Sequence, residues 1–81
     1  MKIPRNQSGN DLIQKLSSFG YYQTPQSGSH IRLTRKSETG EQHITVPNHS
    51  SLRLGTLSNI LKEVAIQIGS TKEELIKKLY S

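Results

Sequence analysis

Ser29-His30-Ile31-Arg32-Leu33-Thr34-Arg35-Lys36, Ser37-Glu38-Thr39-Gly40 and Gln42-His43-Ile44-Thr45-Val46-Pro47 are the segments whose reading decides the fold. In the first, Ile31 and Leu33 alternate with His30, Arg32, Thr34 and Lys36, the period-two pattern of a half-buried strand. In the last, Ile44 and Val46 alternate with His43 and Thr45, and Pro47 ends the run. Between them, Ser37 to Gly40 is turn chemistry, with Gly40 supplying a positive φ. The pair predicts an antiparallel hairpin with one apolar and one polar face. Arg35 falls on the apolar side but near the strand end, where its head group is expected to snorkel outward.

Upstream, Ser8 stands three residues before Asp11, the spacing of a capping box. Leu12, Ile13, Leu16 and Phe19 follow at helical spacing, and Gly20 suits the residue after a helix end. A first helix over 9–19 is predicted. Tyr21 to Thr24 is β-prone and stops before the turn Pro25-Gln26-Ser27-Gly28. One of Tyr21 and Tyr22 must point inward, and Tyr21 is assigned to the core or its rim.

Downstream, Asn48 to Gly55 reads as a loop and Thr56 as the N-cap of a second helix. Leu57, Ile60, Leu61, Val64 and Ile68 form its apolar stripe, with Ala65 beside it and Gly69 at its end. Ile66 lies off the stripe, so it is exposed or covered by the last helix or a partner. Ser70 or Thr71 caps a short final helix. Glu73 and Glu74 open it and Lys77 and Lys78 close it, as the helix dipole favours; Leu75, Ile76 and Leu79 form its apolar face. The order is α-β-β-β-α-α. A single α+β domain over 1–81 is expected, a two-layer sandwich with helices on one face of a three-stranded antiparallel sheet.

The composition narrows the function. Only 31% of the 81 residues are hydrophobic, so the core must be thin. Eleven Lys and Arg against six Asp and Glu give a net charge of +5, which favours a polyanionic partner, nucleic acid first. With no Cys, disulfide scaffolds, thiolate metal sites and thiol nucleophiles are excluded. No apolar run approaches the roughly 20 residues of a membrane span, and the first residues lack the apolar stretch of a signal peptide. A cytoplasmic protein without a membrane role is expected.

The candidate chemistry centres on Gly28-Ser29-His30 with Arg32 and Lys36. Gly28 permits close approach of a phosphate chain, and Ser29 offers a hydroxyl and a backbone N–H. A histidine, with an unperturbed pKa of about 6.5, can exchange a proton near neutral pH. A neighbouring Arg can stabilise the charge of a phosphodiester transition state. Together they could cleave RNA through its 2′-OH without a metal; the plainer alternative is a solvated histidine on a strand. His43 is either a second acid–base group or a strand-face residue. His49, between Asn48 and Ser50, either reaches a phosphate or is an ordinary loop histidine. The histidines lack helical metal-ligand spacing, and no carboxylate is expected to join their face. Arg5, Arg32, Lys36, His43, His49 and Arg53 are the candidate RNA contacts, and neither a metal nor a cofactor is expected.

The Pro4-Arg5 arm, the helix ending Leu16 to Gly20-Tyr21, Gly28-Ser29-His30, Val46-Pro47-x-His49, and Gly55-Thr56-Leu57 leading to Ile60-Leu61 together resemble the HicA toxin family. The resemblance spans about residues 3–68. It implies a double-stranded-RNA-binding-like fold, metal-independent cleavage of mRNA, and a HicB-like antitoxin that covers the active face. It carries the catalytic histidine to His30, with Gly28 and Ser29 as its setting. His49 matches a recurrent family position without an assigned role, and the helix after Gly69 fits the family less closely. Two other readings stand beside the ribonuclease. One is a non-catalytic double-stranded-RNA-binding module, indifferent to loss of His30. The other is a protein-interaction adaptor using Ile66 and the final helix.

Overall fold

The computed structural model describes residues 7–24 and 28–80. Its elements are α1 (Gly9–Leu16), a 3-10 turn at Ser17–Phe19, β1 (Tyr22–Thr24), β2 (His30–Ser37), β3 (Gly40–Pro47), α2 (Leu54–Ile68) and α3 (Lys72–Tyr80). The sheet is antiparallel in the order β1-β2-β3. This is the α+β architecture that the alternation and helical spacing predict.

Local chemistry explains the ends. Ser8 Oγ accepts from the Asp11 N–H at 3.0 Å, and Asp11 Oδ2 accepts from the Ser8 N–H at 3.4 Å, so the capping box is complete. These bonds hold the Asp11 carboxyl below its ordinary pKa. Thr71 is the cap of α3: its Oγ1 accepts from the Glu74 N–H at 3.1 Å. The expected cap of α2 is corrected. The helix starts at Leu54, with Arg53 as an N-cap that makes no side-chain bond, and Thr56 lies inside the first turn. The start is fixed upstream, where buried Leu52 donates its N–H to Gln7 O at 2.7 Å.

One face of the sheet is covered. Leu33, Ile44 and Val46 meet Leu12 and Leu16 of α1 and Leu57, Leu61 and Val64 of α2 in one apolar cluster, to which α3 adds Leu75, Ile76 and Leu79. Tyr21 is buried with them, as expected. Each fully buried aliphatic side chain stabilises the fold by about 1.5–3 kcal/mol relative to exposure. Further contacts dock α3. Lys72 Nζ donates to Ser58 Oγ of α2. Lys15 Nζ of α1 donates to Leu79 O at 3.2 Å and lies 5.1 Å from the Tyr80 ring centroid.

The other face carries His30, Arg32, Thr34 and Lys36 from β2, with His43 and Thr45 from β3 and Tyr22 from β1. The register sets them in rows: Tyr22–Thr34–His43, Thr24–Arg32–Thr45 and His30–Pro47. Thr34 is 2% exposed although it faces this side. Its hydroxyl bonds His43 Nδ1 at 3.0 Å and Thr24 Oγ1 at 3.2 Å. A short side chain in the central strand is shaded by its longer neighbours.

Candidate functional site at the start of the central strand

Three segments meet where β2 begins. Gly28 has φ 97°, and a Cβ there would meet nothing within 4 Å, so glycine is required by backbone conformation while the space before it stays open. Ser29 O accepts from the Asn48 N–H at 2.8 Å, and His49 O accepts from the Gly9 N–H at 2.9 Å. A Cβ on Gly9 would lie 2.4 Å from Pro47 O, so only glycine lets α1 start this close to the end of β3. These backbone ties set the geometry around His30.

His30 is exposed, and Ser29 Oγ stands 3.5 Å from its Nδ1, the outer limit of a hydrogen bond. No hydrogen bond engages its Nε2 among the described residues. Beside it opens a groove of about 640 Å³ between the sheet and α2. His30, Thr45 and Pro47 line one side; Thr56, Asn59, Ile60, Lys62, Glu63 and Ile66 line the other. Ile66 is 71% exposed, and α3 does not cover it.

The groove sorts the sequence candidates. Arg32 is exposed in the row next to His30, opposite Thr45. Lys36 does not belong with them. It lies six residues farther along β2, about 20 Å away at the strand rise, opposite Glu41 and beside the hairpin turn. His43 shares the open face but is four residues from the His30 row, about 13 Å, with its Nδ1 engaged by Thr34. That separation is too large for His30 and His43 to act on one phosphodiester directly. His49 is exposed in the loop tied to Gly9, near the start of β2. Arg53 is exposed at the start of α2 and does not line the groove. Arg5 lies outside the described residues.

Two features departed from the sequence reading. A carboxylate does join His30: Glu63 lines the same groove. Only its i, i+3 spacing from Ile60 and Ile66 could have hinted at a shared helix flank. Arg35 does not snorkel into solvent. Its Nε donates to Phe19 O at 2.9 Å, and one terminal nitrogen donates to Gln42 Oε1 at 2.7 Å. Gln67 closes the network, accepting from the Tyr21 hydroxyl at 2.5 Å and donating to His43 O at 2.9 Å. Burial raises the Tyr21 pKa, which keeps that hydroxyl a donor. Among the described residues no group of three or more His, Cys, Asp or Glu side chains is placed to hold a metal ion. Nor is any helix long and apolar enough to cross a membrane.

The fold and site define a small, basic α+β protein with an open, histidine-bearing sheet face. The family model described as HicA toxin of bacterial toxin-antitoxin matches residues 9–66, well over half of the chain, and the chain belongs to that family. The match runs from the first residue of α1 to Ile66 in α2 and leaves α3 outside it. No curated protein matches the chain. No solved structure matches it either.

Proposed function

We propose that this member of a toxin family is a metal-independent endoribonuclease that cleaves mRNA, with His30 as its acid–base group. The observation that carries the reading is the position of His30: exposed at the start of the central strand, with one side open to a groove wide enough for a nucleotide. His30 takes the proton of a ribose 2′-OH, and O2′ forms a bond to the adjacent phosphorus. The bond from phosphorus to O5′ breaks. The protonated imidazole, or water, then supplies a proton to the departing 5′-oxygen. The products are a 2′,3′-cyclic phosphate and a 5′-hydroxyl. Arg32 faces the charge that builds on the phosphoryl oxygens, and Gly28 and Ser29 hold the approach to His30. His49 and Arg53 are proposed as outer contacts to the RNA backbone.

One positioned acid–base group contributes about 10²–10⁴-fold, so the enzyme should be slow. Slowness suits a toxin, because a few cuts inactivate a message. The same reading makes the partner a HicB-like antitoxin that covers His30 and Arg32, and places both proteins in the cytoplasm.

The test is cleavage of RNA by antitoxin-free protein in EDTA, comparing wild type with His30→Ala and mapping the ends. Cleavage by wild type alone, leaving cyclic phosphate ends, is the expected result. A requirement for Mg²⁺, or equal cleavage by the variant, would overturn the reading. Intact RNA that stays bound to a folded protein would leave a non-catalytic RNA-binding module.

A further inference from the structure

The row Tyr22–Thr34–His43 is built like a slot. Tyr22 is 43% exposed on the open face, directly across from Thr34, and His43 stands across from Thr34 on the other side. With strands about 4.8 Å apart, Tyr22 and His43 are about 10 Å apart at the backbone. Between them Thr34 is a low floor, its hydroxyl already satisfied by His43 Nδ1 and Thr24 Oγ1. The Thr34 contact occupies Nδ1 of His43, and no hydrogen bond engages Nε2 among the described residues. An aromatic wall, a short floor and an imidazole edge suit a flat heterocycle stacked on Tyr22 with its edge toward His43.

The slot is continuous with the His30 site. The row between them presents Arg32 and two threonines; of the carboxylates, Glu41 lies at the far end of the face, and Glu63 of α2 lines the groove beside His30 together with Lys62. A polyanion crossing from His30 would pass Arg32 and arrive at Tyr22 after about 13 Å. We infer that the open face of the sheet is a track for single-stranded RNA, on which Tyr22 stacks a base some distance along the strand from the phosphodiester at His30. A base inside a duplex has its faces stacked on its neighbours and its Watson–Crick edge paired, so it cannot stack on Tyr22, and the track selects unpaired RNA. This inference rests on the reading that the ligand is RNA, but it does not require that the RNA be cut.

The chain contains no Trp, so Tyr22→Trp places a single indole at the slot. The probe is a mixed-sequence 2′-O-methyl oligonucleotide of about ten nucleotides, whose methylated 2′-oxygen cannot attack. Single-stranded probe should quench the indole emission, and the same probe annealed to its complement should not. By anisotropy of labelled probe, Tyr22→Ala should bind about ten-fold more weakly, and Tyr22→Phe should match wild type. Binding without quenching, together with unchanged affinity of Tyr22→Ala, would overturn the track. Equal quenching by duplex would overturn its selectivity for single strands. Normal RNA affinity of Tyr22→Ala, with loss of neutralisation by co-expressed antitoxin, would give this face to a protein and also overturn it. His30-dependent cleavage of unmodified RNA that ignores Tyr22 sinks the track alone. Tyr22-dependent binding without any cleavage sinks the ribonuclease alone.

Discussion

Arg32 and Arg35 stand three residues apart on the same strand in opposite situations. Arg35 is half-buried and bonded to Phe19 O and Gln42, and Gln67 joins it from α2. Arg32 is exposed on the other face, and its guanidinium makes no hydrogen bond among the described residues. The histidines repeat the contrast: His43 is tied to Thr34, while His30 has only a marginal contact with Ser29. The hairpin end spends its polar groups on holding α1, the sheet and α2 together. At the opposite end, among the described residues, Arg32 and His30 are left with no more than that marginal contact. Polar side chains without internal partners are the ones available to a ligand, and here they gather at the groove.

The contrast can be broken by mutation. The largest effect should come from His30→Ala. Its RNA cleavage in EDTA should fall by about 10²–10⁴-fold, while its thermal melt stays within the small range typical of surface substitutions. A melt that drops strongly would make His30 a structural residue and erase the distinction between the two ends. Next comes Arg35→Ala, which leaves a part-buried glutamine and a carbonyl without their charged donor. Urea unfolding should report a loss of about 1.5–3 kcal/mol. The matched Arg32→Ala should leave stability within about 0.5 kcal/mol, but weaken RNA binding and lower the salt slope by about one unit. If both arginines cost the same stability, the two regions do not differ in kind.

Gly9→Ala sharpens the comparison from the backbone side. The added methyl meets Pro47 O, which is main chain, so something must shift. A cost of about 1–3 kcal/mol is expected in denaturant unfolding, with cleavage reduced because the loop beside His30 moves. The smallest effect belongs to Asp11. Its folded carboxyl is held below the unfolded value of about 3.9 by the Ser8 bonds. A depressed carboxyl stabilises the fold above the unfolded pKa, and that contribution disappears as pH falls through the folded one. The melting temperature of Asp11→Ala should therefore trail wild type slightly at pH 7, and the gap should close near pH 2. A gap unchanged between the two would show that the capping bond does not depend on the carboxylate.

Much of the architecture was legible because periodicity is local. Ile31 and Leu33 against His30 and Arg32, and Ile44 and Val46 against His43 and Thr45, fixed which face was covered. Ser8 and Asp11 announced the first cap, and the last was narrowed to Ser70 or Thr71, of which Thr71 makes it. The start of α2 was less legible, because Leu52 sets it through a backbone bond to Gln7 and no side-chain cap marks it. At the candidate site the same periodicity misled. It grouped Lys36 with His30 by face, although six residues of one strand already put about 20 Å between them. Glu63 was missed because the rotation of a helix against a sheet edge is a tertiary quantity. Arg35 was misjudged because its partners, a helix-end carbonyl and two glutamines, come from three other elements.

The ties around His30 have one further consequence. Asn48 to Ser29 and Gly9 to His49 are bonds between main-chain atoms, as is Leu52 to Gln7. Apart from the glycine that position 9 requires, they depend on where the chain runs and hardly on which side chains it carries. Ser29, Asn48, His49 and Ser50 can therefore be exchanged with little effect on the frame that presents His30. Taken as an engineering platform, this corner has variable positions supported on an invariant backbone clasp. Varying these positions and selecting on RNA sequence would ask whether substrate preference can be rewritten without refolding the protein.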